Sequence, residues 1–418
     1  MSTSTACRSK SKKEAEKQKL NIYIDIKDRN SLDLIRTILD EYKKQKSTVE
    51  VSMNSPLGNE KLEEDIVKGS IDMIFVPRNK MLELNKKGLL NDMGQFYTKN
   101  KISDKYYNIL GAYGRSGDKY YGIALMPYSI EVIYNTEALN KINLQAPKDF
   151  NDLMNVFKRL NSDGIKVPVL LSEGIDIRNV VTALTFSNKI DMDQIERTYG
   201  KDSSDYSKLN LQPIFDELNA LVKQGSLSEN TFETASDSSI KRLTSGEIPI
   251  MVALSSVTKD MKNNESNSTG SKTSNSATGE AGKNTPPKNI EVLKNYNISD
   301  TKNNIPVIVN TVLSMPANTK NEEAINDLLD FIFSDSTQKK LAEMGYVTTN
   351  KAVNEKTWKS GPNKDIAEHL EKADSNSIFY LYEFPDKFQA YLESATINIL
   401  KGKYNGNEWK EVVNKISK

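Results

Sequence analysis

The fold is decided by the stretch GDKYYGIALMPYSIEVIYN, Gly117 to Asn135. A Gly-Asp turn opens it, an aromatic and apolar run follows, and Pro127 divides that run from a second one. Proline has no amide to donate and biases Met126 towards extended backbone, which disfavours one long buried strand. Two short strands joined by a bend fit better. A chain crossing between two lobes has that form.

Working outward, the 418-residue chain exceeds one typical domain, so about two domains are expected. Its 57 basic and 56 acidic residues leave a formal charge of +1, which argues against a nucleic-acid binder held by a global basic field. No run of about eighteen apolar residues occurs, so no membrane-spanning helix is predicted. The hydrophobic share of 37% is low, and much of the deficit sits in two polar tracts. The single cysteine, Cys7, allows no intramolecular disulfide. A reducing compartment and a secreted bacterial protein that avoids cysteine both fit.

Before the crossover, Leu20–Ile26 alternates as a strand, and Leu32 to Tyr42 has the three-and-four spacing of an amphipathic helix. Val49–Met53 reads as a second strand, Leu62–Val67 as a helix and Ile71–Val76 as a buried third strand. This alternation implies parallel pairing with crossover helices, and ligands of such sheets collect outside the carboxyl ends of the strands. The loops there carry Lys27, Asp28, Arg29 and Asn30 after the first strand, and Pro77, Arg78 and Asn79 after the third.

After the crossover, Asp149 is the expected N-cap of a helix running to Leu160, with Asp152 completing an approximate capping box. Val167–Leu171 reads as a strand of a second lobe, and Val180–Phe186 and Leu211–Lys223 as helices. Ile305–Ser314 is predicted as a strand, and Glu322–Phe333, Ile378–Leu400 and Glu408–Ile416 as helices. Lys262–Lys288 turns abruptly to Asn, Ser, Thr, Gly and Lys, a composition that cannot bury a core, and is expected to be a disordered insertion.

These segments carry a resemblance. Gly117–Gly122, Pro127-Tyr128 and Tyr134-Asn135-Thr136 resemble, in order and spacing, the inter-lobe crossover of extracellular solute-binding proteins (family 1, carbohydrate-type) of bacterial ABC importers. Gly69-Ser70-Ile71-Asp72, Lys87–Asp92, Pro147–Leu153 and Thr244–Leu254 resemble further signatures of that family. Gln338 to Tyr346 does so too, with Thr348 in place of a usual proline. The resemblance implies a two-lobe, type II periplasmic-binding-protein-like α/β fold, each lobe a central sheet flanked by helices, with the ligand cleft at the hinge. Lobe 1 would comprise 20–127 and 306–345, and lobe 2 would comprise 128–305 and 346–418, after a tether at 1–19. The chain would cross between the lobes about three times. Ser4-Thr5-Ala6-Cys7 before a Lys-rich tether resembles a lipoprotein processing site, although Ser4 replaces the usual leucine and the preceding hydrophobic stretch is absent. An incidental cysteine in a polar tail is the alternative.

Signs of catalysis are few. Ala277–Lys283 approximates a phosphate-binding loop, but Asn284 replaces the Ser or Thr, and no strand and helix flank it. His369 lies in an acidic helix without a nucleophile beside it, and no His/Cys cluster for a metal can be assembled. Ser256-Val257-Thr258-Lys259 matches Ser-x-x-Lys without its partner motifs.

The resemblance therefore implies a receptor, with no enzymatic role and no cofactor, that closes on a small solute and presents it to a membrane permease. Carbohydrate leads on family grounds, and a peptide-like or anionic solute stays open. The protein would act as a monomer on the extracellular face of the cell membrane, lipid-anchored at Cys7. The candidate ligand contacts are Lys27, Asp28, Arg29, Arg78, Asn79, Tyr128, Glu173, Ser255 and Tyr382. Tyr128 is the leading ring. A sensor without a transport role is one alternative, and a glycoside-active enzyme working with a carboxylate pair is another.

Overall fold

The computed structural model describes residues 18–54, 59–261, 287–297 and 303–416. Cys7 and nearly all of the tether lie outside these, as do 262–286, which hold most of the polar tract and the loop-like sequence at Ala277–Lys283.

The strands in chain order are β1 (Gln18–Ile24), β2 (Val49–Asn54), β3 (Met73–Val76), β4 (Arg115–Ser116), β5 (Lys119–Tyr120), β6 (Ile123–Ala124), β7 (Tyr128–Asn135), β8 (Val167–Leu170), β9 (Phe232–Thr234), β10 (Ile250–Leu254), β11 (Ile290–Val292), β12 (Val307–Ile308) and β13 (Val312–Ser314). They form two main sheets. The first has the order β2-β1-β3-β13-β6, and the second β11-β7-β10-β8-β9 with β12 paired to β7. β1 runs parallel to both neighbours, while β13 is antiparallel to β3 and β6. In the second sheet β10, β8 and β9 are parallel, and β7 runs against them. β4 and β5 make a small separate hairpin.

Local chemistry explains most elements. Helix Arg29–Gln45 starts where the Asp28 carboxylate accepts the Ser31 amide, and it buries Leu34, Ile35, Ile38, Leu39 and Tyr42 on one face. Helix Phe150–Ser162 starts at Asp149, which accepts the Asp152 amide. The Asp152 carboxylate reaches back to the Lys148 amide, one residue before the box position. At the crossover β6 ends at Ala124, Pro127 marks the bend, and β7 follows with all eight residues buried. The chain enters the second sheet at β7, the strand next to its β11 edge.

Two elements differ from expectation. Ile305–Ser314 is not one strand: β12 pairs with β7 in the second sheet and β13 with β3 in the first. The return crossing therefore falls at 309–311, a few residues beyond the boundary at 306 that the sequence suggests. Ile378–Leu400 is not one helix either. A 3-10 turn at Tyr380–Glu383 precedes Pro385, which stands at the N-cap of helix Asp386–Leu400, because proline cannot continue a preceding helix. This broken segment becomes a wall of the site.

Candidate functional site

A cleft of about 640 Å³ lies between the loops at the strand ends of the two lobes. The first lobe contributes Asp25 to Asp28 after β1, and Pro77 with helix Arg78–Lys86 after β3. The second contributes Glu173–Ile175 beyond β8, Tyr199-Gly200, and Tyr382 with Pro385, Asp386, Lys387 and Gln389. Asn310, on the return crossing, lies between them.

Hydrogen bonds tie these walls together. Asp28 Oδ2 accepts both the Ser31 amide (2.8 Å) and the Ser31 hydroxyl (2.7 Å). Asn310 Nδ2 donates to Ser31 Oγ at 3.1 Å, and the Tyr382 hydroxyl donates to Asn310 Oδ1 at 3.3 Å. A polar chain thus runs along the cleft from the first helix to Tyr382. Burial raises the Tyr382 phenol far above its ordinary pKa, and the Asp28 carboxylate adds to that, so the ring keeps its proton as a donor. Elsewhere on the lining, Tyr199 donates to the Asn79 carbonyl at 3.0 Å, and the Asn79 amide donates to Asp386 at 2.5 Å. At the mouth, Arg29 Nε lies 3.2 Å from Glu173 Oε1, joining the lobes through two exposed side chains. Planar amides and carboxylates beside two tyrosine rings form a surface that can grip hydroxyls and apolar ring faces together.

Residues 37–366 match the family model described as bacterial extracellular solute-binding protein. The chain belongs to that family. Among curated proteins, none matches this solute-binding protein significantly. Solved structures share its fold over nearly their whole length. A chitin oligosaccharide binding protein is 15% identical with a TM-score of 0.65, covering 96% of this chain and 98% of its own. The sugar-binding protein MalE from the phytopathogen Xanthomonas citri is 10% identical with a TM-score of 0.67, covering 96% of each chain. A probable secreted solute-binding lipoprotein from Streptomyces coelicolor is 14% identical with a TM-score of 0.67, covering 96% of this chain and 99% of its own.

The structure of the solute-binding protein brings Lys27, Asp28, Asn79, Glu173 and Tyr382 together on the cleft, with Arg29 at its mouth. It places three expected contacts elsewhere. Arg78 is 0% exposed. Its Nε donates to Glu383, Nη2 to Glu196, and Nη1 to the carbonyls of Ala112, Tyr113 and Arg115. Every nitrogen is already engaged, so Arg78 is corrected from a ligand contact to a strut between the lobes. Tyr128 is 3% exposed, because β7 is buried from its first residue. Its ring reaches towards Ser31, Asp28 and Tyr346, and its hydroxyl makes no hydrogen bond of normal geometry. It belongs to the hinge core. Ser255 is also buried, its Oγ accepting the Ser129 amide at 3.1 Å.

Sequence reasoning missed Tyr199, Asn310 and Asp386. Asn310 did leave a signal, as the one amide in the apolar run Ile305–Ser314. Tyr199 and Asp386 sit on segments whose approach to the cleft depends on tertiary packing alone. Lys259 of the Ser-x-x-Lys match donates to the Tyr346 hydroxyl at 3.0 Å and sits over its ring.

Proposed function

We propose that this solute-binding protein captures a carbohydrate between its lobes and delivers it to the permease of an ABC importer, performing no reaction on it. The cleft supports this reading, since it sets tyrosine rings from the second lobe against amides and carboxylates from both. The names of the structural neighbours, a chitin oligosaccharide binding protein and a sugar-binding protein, point the same way. A solute that touches both walls binds the closed form more tightly than the open one, and only that difference can drive closure. A single copy suffices for this work.

A thermal-shift panel of mono- and oligosaccharides, amino acids and organic anions tests the reading. A bound solute at a hundred times its Kd adds about 2.7 kcal/mol to stability. A saccharide is expected to raise the melting temperature. Stabilisation by an amino acid or an anion alone would replace the carbohydrate assignment, and no stabilisation by any solute would remove it.

We propose further that the protein is tethered outside the membrane by lipid on Cys7, supported by the Ser4–Cys7 sequence and by the likeness to a probable secreted lipoprotein. Among the described residues no helix is long and apolar enough to cross a membrane. With a signal sequence supplied in a bacterial host, the protein is expected in the membrane fraction. Identical partitioning of Cys7→Ala would reject the anchor.

A further inference from the structure

We propose that closing the two lobes takes up one proton, held in the buried charge cluster that Arg78 forms across their interface. The inference rests on the reading of a receptor whose lobes part and close. Arg78 begins the helix that follows β3 in the first lobe. Its carboxylate partners travel with the second lobe. Glu196 lies on helix Met192–Thr198, and Glu383 ends the turn Tyr380–Glu383. That turn is fixed to the second lobe by Tyr380 stacked on Phe186 at 4.4 Å, and by Phe384 packed against Tyr206 and Trp409. Opening the lobes must therefore draw Arg78 away from both acids.

The charges gathered at this interface between the lobes do not balance. Arg78 lies 3.0 Å from Glu383 and 3.2 Å from Glu196, while Arg115 lies 3.1 Å from Asp193 and 4.0 Å from Glu196. Two guanidiniums face three carboxylates. The phenols that feel Arg78 or Glu383 electrostatically, Tyr113, Tyr199 and Tyr206, are all raised by burial and neutral near pH 7. One negative charge is left over, and the most enclosed acid is the place where neutralising it gains most. The Glu383 side chain is 1% exposed, against 11% for Glu196 and 39% for Asp193. Glu383 Oε1 accepts Arg78 Nε, but Oε2 meets no donor, so the ionised carboxylate is incompletely solvated.

Burial pushes the Glu383 carboxyl up to about 7; the pull of Arg78 downward is opposed by Glu196 and Asp193. Once Arg78 leaves and water enters, the group returns towards its ordinary value of 4.5. The closed form thus binds the extra proton between those two values. Its stabilisation is complete below the ordinary value and is lost as pH rises through about 7. The chain's one histidine does not carry this proton, because His369 is bonded to Glu131 on β7, inside the second lobe.

The test uses the full chain without solute, with Cys7→Ser and spin labels at cysteines replacing Glu60 and Lys158, exposed positions on the two lobes. Lobe distances are measured from about pH 4.5 to 8.5. The closed-to-open ratio is expected to fall at least about tenfold across that range in the wild type, and to stay flat in Glu383→Gln. In Glu196→Gln the cluster is already balanced, so Glu383 ionises more readily and the transition moves to lower pH. An infrared band of a protonated carboxyl, present near pH 6 in the closed protein and missing from Glu383→Gln, assigns the proton. Should Glu383→Gln fail to fold, the Glu196→Gln shift decides alone. A lobe distance that ignores pH in the wild type, or a transition unmoved in both variants, overturns the proposal. Saccharide binding would then still stand or fall by its own panel.

Discussion

Two tyrosines separate a site residue from a core residue, and each carries a prediction. Tyr382 lines the cleft with its hydroxyl on Asn310, so Tyr382→Ala should weaken binding of whichever solute the thermal-shift panel identifies by about 1–3 kcal/mol, at least tenfold, in calorimetric titration. Tyr128 is buried at the hinge, and Tyr128→Ala should cost about 3–5 kcal/mol of stability in chemical denaturation. Tyr128→Phe is the sharper experiment. The hydroxyl it removes has no partner of normal geometry, so stability should hold or rise. A loss of more than about 1 kcal/mol would mean the hydroxyl is satisfied after all. Arg78 shows why such assignments escape a sequence. Its place after a strand is legible from local pattern, whereas the partners that turn its side chain inward lie 118 and 305 residues away.

Local signals carried the elements far better than the contacts between them. Asp149 at its N-cap, the stripe of Leu34 to Tyr42 and the break at Pro127 are all decided within a few residues of chain. The division of Ile305–Ser314 between two sheets is not, because it depends on what each half meets. Gly122 illustrates the same limit. The crossover signature includes it, but its reason lies in packing. A Cβ on Gly114 would stand 1.8 Å from the Gly122 carbonyl oxygen, and one on Gly122 would stand 2.4 Å from Val312 Cγ1. Gly114→Ala should therefore cost about 3 kcal/mol in denaturant titration, near the upper end of overpacking penalties. The buried pair of β7 and helix Pro362–Lys372 gives a pH prediction. Burial alone would lower the His369 pKa, but Glu131, 3.1 Å away, more than reverses it, so the folded value lies above 6.5. The stabilisation is full below that value and is lost as pH rises through the raised one. Unfolding free energy measured upward from pH 6.5 should decline in the wild type, and this component should vanish in His369→Gln.

At the scale of the whole molecule, the contacts between lobes are of unequal worth. Arg29 and Glu173 are 86% and 50% exposed, and a double-mutant cycle on closure should give less than about 1 kcal/mol, shrinking with added salt. The Arg78 cluster is buried and should dominate lobe geometry, with Arg78→Ala loosening the lobes in small-angle scattering at any salt concentration. The two-lobe plan was readable from one crossover. The particular angle between the lobes was not, since it depends on these distant pairings. The crossing itself constrains motion in another way. The outgoing and returning chains lie side by side, with Tyr128 opposite Ile308, Ser129 opposite Val307, and the Leu125 amide on the Thr311 carbonyl. Two laced ribbons flex together about a common axis much more easily than they twist or slide past each other. The swing of the lobes thus reduces to nearly one angular coordinate, with the far rim as a long lever arm. A bulky side chain placed at 309 or 311 would offset that angle slightly at the axle and greatly at the rim. Affinity could then be detuned from a position that never meets the solute.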